Sequence, residues 1–384
     1  MNGFQIGQPA ESEVDDMADV FSFRDDLGPE KITHLHDPAT GLKAIVVVDN
    51  VAAGPAIGGT RMAPDVSLKE CVRLARAMTL KNAAASISHG GAKSVIFGDP
   101  KMPIAEKEKL IRSFAYALKD IKDYIPGPDM GLDETCMGWV RDVTGRASGL
   151  PREVGGIPLD EIGATGYGLV AAIDVAKDFI DLDLRGARIV VQGFGAVGTH
   201  AAKFLAEKGS RLIATSDSRG AIFNSEGLDI AALIDWKHQG NTVADFAGGK
   251  SMGRDEVIDI ACDIWVPAAR PDVITEDNVS RFNTKLIAEG ANIPSTYEAE
   301  KYLAEHGVLV LPDFIANAGG VICAAVEYQG GTQSAALAEI DEKIRFNVQQ
   351  VLTQSRREGI LPRDAALIMA EARVRKAMSF RKTF

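Results

Sequence analysis

Lys81 and Lys93 stand on either side of a tract of small residues, Ala83-Ala84-Ala85 followed by Gly90-Gly91-Ala92. Alanine and glycine put little bulk around an ammonium group, so backbone or ligand can approach it closely. Lysine is also the cation that gives up its proton most readily when it is desolvated or set beside a second positive charge. Two such lysines beside a diglycine suit a site in which one ammonium holds an anion and the other does proton chemistry. Taken alone, the pair reads better as two surface lysines, and the residues downstream must decide. Asp129, in the broken run Ile125-Pro126-Gly127-Pro128-Asp129-Met130-Gly131, offers a carboxylate on a rigid loop at a strand end. The alternative for Asp129 is a cap on the helix predicted from Glu134 to Asp142.

A second chemistry-bearing pattern follows. The apolar strand Ile189 to Val191 runs into Gly193-Phe194-Gly195-Ala196-Val197-Gly198 and then into a helix predicted over Thr199 to Glu207. A further strand, Leu212 to Thr215, ends at Ser216-Asp217. Strand, G-x-G-x-x-G, helix, strand and acidic residue form the full dinucleotide fingerprint in its required context. The first glycine permits the tight turn, the second lets backbone approach the pyrophosphate, and the third lets helix pack on strand. The free N–H groups of the helix N-terminus then meet the phosphates. A carboxylate at Asp217 would accept hydrogen bonds from the ribose of NAD and repel the extra phosphate of NADP. Ser216, Ser218 and Arg219 around it keep NADP as the alternative.

The elements that must carry these groups follow from patterning. Residues 11–27 read as a helical N-terminal arm. Lys31–His36 and Leu42–Asp49 read as a hairpin around the turn residues Asp37 to Gly41. Gly54–Met62 is a glycine-rich approach segment, and Ser67–Ala85 a helix with Ser67 as N-cap and Glu70 completing a capping box. Ser94–Phe97 is a short strand and Ile104–Ile121 an amphipathic helix. Residues 148–165 make the first crossing between domains, and Thr165–Ile180 is a helix rich in Gly and Ala. Strands at 264–266, 285–288 and 308–311 alternate with helices to predict a parallel, doubly wound sheet over 187–316. Loops at Pro267-Ala268-Ala269, Glu289 to Asn292 and Asn317 to Gly320 would ring its carboxyl edge. Glu339–Gln354 reads as a long helix returning to the first domain, followed by a helix over Arg363–Met378.

At 384 residues, two domains are expected, with 46% hydrophobic and 25% charged residues as in ordinary globular proteins. The formal charge of −11 speaks against a nucleic-acid partner, since phosphate binding needs a basic face. No secretory signal is visible at the N-terminus, and Pro312, Asp313 and Asn317 break the apolar tract 307–328, so no membrane span is expected. Cys71, Cys136, Cys262 and Cys323 form no CxxC pair and read as reduced thiols of a cytoplasmic protein. His34 and His36 share a strand face but have no partner at ligand spacing, so no metal is expected.

Together these segments resemble the glutamate/leucine/phenylalanine/valine dehydrogenase family. The resemblance rests on Gly58-Gly59-Thr60-Arg61-Met62, Met78-Thr79-Leu80-Lys81-Asn82-Ala83, Gly90-Gly91-Ala92-Lys93, Pro128-Asp129-Met130-Gly131 and Thr165-Gly166-Tyr167-Gly168. It extends through the glycine fingerprint to Glu289-Gly290-Ala291-Asn292 and Asn317-Ala318-Gly319-Gly320-Val321. It implies an α/β protein with a Rossmann-type doubly wound dinucleotide domain over 161–334. An α/β substrate and assembly domain would come from 1–160, completed by C-terminal helices at 335–384. The implied reaction is reversible NAD(P)-dependent oxidative deamination of an L-amino acid to a 2-oxo acid and ammonia, in a homo-oligomer of six or eight subunits. By the same resemblance Lys81 holds the substrate α-carboxylate, Lys93 is a low-pKa lysine that activates water, and Asp129 shuttles protons at the α-amino nitrogen. Gly58, Gly59, Met78 and Val321 line the substrate, while Thr165, Ala268, Asn292 and Asn317 meet the cofactor.

Two positions bear on the substrate. Family members acting on glutamate carry a lysine before the Gly-Gly and a serine three residues after the Gly-Gly-Val valine, where this chain has Ile57 and Ala324. An ionised carboxylate facing Ile and Ala would be desolvated without a partner. The expectation is therefore an apolar side chain of leucine, valine or phenylalanine type. A glutamate dehydrogenase drawing its cation from Arg270 or Arg61 is the alternative in the same class, supported by glutamate-like segments at 216–220 and 224–229. A nucleotide-sensing protein without catalysis is the alternative of another class.

Overall fold

The computed structural model describes residues 20–381. Of the predicted N-terminal arm, residues 11–19 lie outside the described residues, and Val20–Phe23 makes a single 3-10 turn. The first sheet has five strands in the order β1-β2-β4-β3-β5: β1 (Lys31–Asp37), β2 (Leu42–Asn50), β3 (Ala56–Ala63), β4 (Gly91–Phe97) and β5 (Tyr124–Pro128). The β1–β2 hairpin forms where the turn residues require it. Helix α1 (Leu68–Ala84) crosses from β3 to the parallel strand β4, and α2 (Ile104–Ala117) and α3 (Glu134–Thr144) cover the other face. Alternation along β2 shows the layering: Ile45 and Val47 pack with Cys71 and Ala75 of α1, whereas Ala44, Val46 and Val48 pack with Phe114 of α2 and Met137 of α3.

Two segments depart from expectation. The glycine-rich stretch 54–62 is mostly strand β3, and the Pro/Gly run at 125–131 begins as β5. Prolines at 126 and 128 are tolerated because β5 is an edge strand that pairs only with β3. Asp129 still follows directly at the strand end. The N-cap of α3 is Asp133, whose side chain accepts from the Cys136 N–H. Ser67 caps α1 by accepting from the Glu70 N–H at 3.2 Å, but the Glu70 carboxylate turns to Arg61, so the capping box is only half made.

The second half begins with α4 (Ala164–Ala176), β6 (Arg188–Gln192), α5 (Ala196–Glu207), β7 (Arg211–Ser216), β8 (Ala221–Phe223), α6 (Ile230–His238) and β9 (Lys250–Met252). It continues with β10 (Ile264–Pro267), β11 (Leu286–Ala288), α7 (Tyr297–Glu305), β12 (Leu309–Leu311), α8 (Asp313–Ala316) and α9 (Gly319–Tyr328). Its seven strands run in the order β12-β11-β10-β6-β7-β8-β9. The first five are parallel, as predicted; β8 and β9 are antiparallel additions at one edge, at three residues each too short to be read as strands from the sequence. Strand order reverses between β6 and β10, which opens a crevice at their carboxyl ends.

Two long helices close the chain, α10 (Gln333–Glu358) and α11 (Pro362–Met378). The first packs on α4 and α9, and the second returns to α1. The crossing at 148–157 is fastened from α9. The buried Glu327 carboxylate accepts from the N–H groups of Gly149 at 2.7 Å, Leu150 at 3.2 Å and Ile157 at 2.7 Å. Replacing it would strand three backbone donors away from water. We expect Glu327→Ala to lose about 3 kcal/mol in denaturant unfolding, with Glu327→Gln losing less; equal midpoints for wild type and Ala variant would refute the fastening.

Candidate active site

The site grows out of the strand ends of the first sheet. Ile57 pairs with Gly91 and Thr60 with Ser94, while Gly58, Gly59 and Thr60 pair with Pro126, Gly127 and Pro128 on the other side. A Cβ on Gly58 would lie 1.6 Å from the Ala92 carbonyl oxygen, so only glycine lets β3 and β4 meet there. At Gly59 a Cβ would come within 2.8 Å of the Asp129 Cβ and 3.0 Å of Lys93 Nζ. The diglycine thus clears the space in which Lys93 and Asp129 join. The buried Tyr124 hydroxyl holds these strands together, 2.8 Å from Ser94 Oγ and 3.2 Å from Thr60 Oγ1, and it donates to the Gly58 carbonyl at 3.1 Å.

Lys93 Nζ lies 2.6 Å from Asp129 Oδ2, and its side chain is 7% exposed. Arg61 Nε donates to the same oxygen at 3.0 Å, and Arg61 also pairs with Glu70. Burial alone would raise the Asp129 pKa; the charges of Lys93 and Arg61 overcome it and hold the carboxyl below its usual range. Arg61 is therefore committed to Asp129 and Glu70. Arg270, the other cation considered for a substrate side chain, is half exposed and lies 3.7 Å from Asp255.

Helix α1 turns Cys71, Ala75, Thr79 and Asn82 inward and leaves Leu74, Met78 and Lys81 partly exposed along one stripe. Burial lowers the Lys81 pKa to about 8, with the charge of Lys93 adding to the effect and that of Asp313 opposing it. The two lysines thus feel each other, as expected. Lys93 has a carboxylate partner at contact distance, whereas Lys81 makes no ion pair among the described residues.

Asp313, at the start of α8, is itself held by Arg363 Nη1 at 3.0 Å and by the Ile293 N–H at 2.9 Å. Arg363 enters from α11 and also contacts Glu289 at 2.8 Å and Glu300 at 2.6 Å. Burial, aided by the negative charge of neighbouring carboxylates such as Asp313, raises the pKa of both glutamates. Sequence reading missed Arg363, Tyr124 and the tie of Arg61 to Asp129. The only local hint was Arg363 following a proline at a helix start.

In the second half, Gly193 has φ +100°, and a Cβ there would strike Ala269; at Gly198 it would lie 1.9 Å from the Gly193 carbonyl oxygen. Gly195 is different: a Cβ would meet nothing, and it would stand in the open space before α5. That helix starts at Ala196, earlier than predicted, so Ala196, Val197 and Gly198 form its first turn and Phe194 is buried beneath. The neighbouring loops converge: the Ala268 N–H donates to the Gln192 carbonyl at 2.7 Å, and Asn317 Nδ2 reaches Asn292 Oδ1 at 3.0 Å. Thr165 Oγ1 lies 3.2 Å from where a Gly320 Cβ would stand. Gln192 Oε1 and Asn317 Oδ1 are buried without partners. Open glycine backbone, a bare helix N-terminus and two orphaned polar atoms at the crevice fit a dinucleotide.

Asp217 is turned away from its expected use. Oδ1 accepts from Thr242 Oγ1 at 2.9 Å and from the Arg219 and Gly220 N–H groups at 2.9 and 3.2 Å; Oδ2 accepts from Lys237 Nζ at 2.6 Å and the Val243 N–H at 2.9 Å. A carboxylate offers about four lone-pair sites, so none is left for a ribose. Ser216 is buried and Arg219 exposed, its guanidinium on the Gly240 carbonyl. Ile57 is buried in the apolar cluster that includes Ile322 and Ala325 of α9, with Val321 packed on it; Ala324 and Met78 are partly exposed.

Comparison with known proteins finds relatives along nearly the whole chain. Residues 155–382 match the model for "Glutamate/Leucine/Phenylalanine/Valine dehydrogenase", and residues 29–146 that for "Glu/Leu/Phe/Val dehydrogenase, dimerisation domain". The chain is 39% identical over 355 residues to a glutamate dehydrogenase of Aeropyrum pernix, covering 86% of this chain and 85% of that protein. It is 39% identical over 302 residues to that of Thermotoga maritima, covering 75% and 72%. The hetero-hexameric glutamate dehydrogenase of Thermus thermophilus, in its Leu-bound form, superposes with a TM-score of 0.82 at 30% identity, covering 93% of this chain and 91% of that one.

If Lys81 holds a carboxylate, it must be charged. A 2-oxo acid, whose carboxylate does not titrate near neutrality, should bind more weakly above about pH 8, by roughly tenfold per unit. Lys81→Met should remove that limb. A flat dissociation constant up to about pH 9.5 in wild type would exclude the role.

Proposed function

The chain belongs to the glutamate/leucine/phenylalanine/valine dehydrogenase family, and from that premise we propose how its residues carry out NAD(P)-dependent oxidative deamination of an L-amino acid. The observation that carries the proposal is the Lys93–Asp129 pair at 2.6 Å with Lys81 in its electrostatic reach.

Lys81 holds the α-carboxylate. Asp129, kept ionised by Lys93 and Arg61, accepts the proton that the α-ammonium must lose, so that the nitrogen lone pair is free as the α-carbon is oxidised. The bound nicotinamide supplies the acceptor for the hydride leaving that carbon. Asp129 then releases that proton to solvent and takes up the Lys93 proton. Neutral Lys93 deprotonates the water that attacks the imine carbon, and the proton on Asp129 passes to the amine nitrogen as the new hydroxyl proton returns to the carboxylate, so that ammonia can depart. Gly193 to Gly198 and the start of α5 hold the pyrophosphate, while Thr165, Ala268, Asn292 and Asn317 border the nicotinamide. We assign residues 1–160 with 335–384 to substrate binding and assembly, and 161–334 to the cofactor.

For cofactor choice, the filled lone pairs of Asp217 withdraw the argument that favoured NAD at the ribose. They do not supply a phosphate site either, and NAD remains the first reading. For the substrate, the relatives named above are glutamate dehydrogenases, and they favour glutamate over the apolar side chain expected from the sequence. Glutamate is therefore the first reading. Ile57 and Ala324, with Arg61 already committed, carry the second reading of an apolar substrate. The dimerisation-domain match and the hexameric Thermus enzyme support an oligomer, with six subunits ahead of eight. Four buried, unpaired thiols support a reducing, cytoplasmic setting. Among the described residues no helix is long and apolar enough to cross a membrane.

A screen of NAD and NADP reduction over the common L-amino acids tests this directly. Highest kcat/KM for glutamate supports the first reading; a preference for leucine, valine or phenylalanine replaces it with the second. Silence with every substrate would favour a nucleotide sensor. Lys93→Ala should lower kcat on the order of 10³-fold while cofactor affinity stays unchanged, and near-normal turnover would refute its role.

A further inference from the structure

A cavity of about 230 Å³ lies behind the active-site helix, between α1, the turn 86–90 and α11, and nothing in the proposed reaction uses it. Its polar lining includes Asn50, Thr79, Ser86, Ser88, His89 and Arg373. Arg373 forms no ion pair with a carboxylate among the described residues. Its Nη1 donates to the Ala83 carbonyl at 3.1 Å, the Ala84 carbonyl at 2.9 Å and Ser86 Oγ at 2.7 Å, and its Nη2 donates to Asn347 Oδ1 at 2.9 Å. Of its five N–H groups, the one on Nε and the second on Nη2 have no acceptor among the described residues.

His89 lines the same cavity and is 5% exposed. Its Nδ1 lies 2.9 Å from the Pro55 carbonyl, which can only accept, so Nδ1 carries the proton. Nε2 is then a bare acceptor, and it is buried without a partner. Burial lowers the ring's pKa and keeps it neutral, with Tyr328 edge-on beside it. Other charges nearby are already engaged. Asp49, behind Thr79, is held by Arg76 at 2.9 Å and by the Thr79 hydroxyl at 2.6 Å; Lys343 donates to the Ser86 carbonyl at 3.2 Å and pairs with Glu339 at 3.2 Å.

We infer that this cavity is a second ligand site, separate from the substrate cleft, for a small oxyanion that also carries an O–H or N–H donor. The oxyanion takes the free edge of Arg373, whose planar fork suits carboxylate and phosphate alike, and the donor goes to His89 Nε2. The site is also placed to be felt. Turn 86–90 is the chain link between Lys81 at the end of α1 and Lys93 on β4, and it contains Ser86 at φ +56°. A ligand gripping this turn and Arg373 would shift both lysines, so occupancy should appear as a change in amino-acid KM.

Calorimetric titration of the full chain with saturating NAD tests the inference, with inorganic phosphate, L-lactate and acetate as separate probes. Saturable binding of phosphate or lactate is expected, with acetate, which lacks a donor at neutral pH, at least tenfold weaker. Phosphate alone or lactate alone identifies which oxyanion the site takes. Arg373→Gln should weaken the bound probe at least tenfold. Because that change also uncaps α1, Ala53→Trp, at the cavity lining, should do the same with Arg373 intact, and Lys81→Met should leave binding in place. Absence of binding by every probe overturns the inference, as does unaltered affinity in Ala53→Trp or loss of affinity in Lys81→Met.

Discussion

Two ammonium groups close enough to repel each other, in a cleft largely closed to water, set the terms for the rest of this structure. Like charges brought out of water cost energy twice, once in lost hydration and once in mutual repulsion. The two lysines meet that cost differently. Lys93 has Asp129 at 2.6 Å, an ion pair formed within one sheet. Lys81 has only the more distant attraction of Asp313, and its pKa drops. The asymmetry follows from where the partners come from: Asp129 follows β5 on the same sheet as Lys93, whereas Asp313 belongs to the far side of the cleft.

That difference ties the reactive end to the closure of the two halves. Asp313 is positioned by Arg363, and Arg363 also gathers Glu289 and Glu300, so one guanidinium from α11 faces three carboxylates. Removing one partner from such a buried cluster leaves the others uncompensated, which is costly. Helix α11 also packs on α1, the helix that bears Lys81. The last helix therefore spans the two sides of the field that sets the charge on Lys81, and a change in the angle between the halves would alter the ease with which Lys81 holds its proton. Glu327 is the mechanical counterpart, clasping the crossing segment at 149–157 by accepting three N–H bonds.

How much of this could be read from residues alone depended on the range of the interaction. The glycine turn at 193–198 and the place of Asp129 at a strand end were legible because they follow from short spacing and residue type. Strands β3 and β5 were not, because Gly54 to Met62 and the two prolines break the usual strand composition, and only their neighbours in the sheet stabilise them. Arg61, Tyr124, Glu327 and Arg363 carry no local mark, since each acts through a partner far away in sequence. Asp217 failed for the opposite reason. Its position in the fingerprint was right, but five donors from its own loop region and from Lys237, Thr242 and Val243 saturate it.

The division between reaction and selectivity has a structural basis as well. The groups proposed to act on the α-carbon and its substituents are fixed by α1, β4 and the end of β5, and they are braced by Gly58, Gly59 and Tyr124. The far end of the substrate would meet Ile57 on β3 and the Val321–Ala324 face of α9, where Ile57 belongs to an apolar cluster on which Val321 packs. An ionised side chain entering there must bring or find a counter-charge, because a carboxylate buried against Ile and Ala without one loses several kcal/mol of hydration, on the order of 2–7 even for a neutral polar group. Since β3 and α9 can change residues without moving Lys81, Lys93 or Asp129, selectivity in such a fold can vary while the chemistry stays fixed.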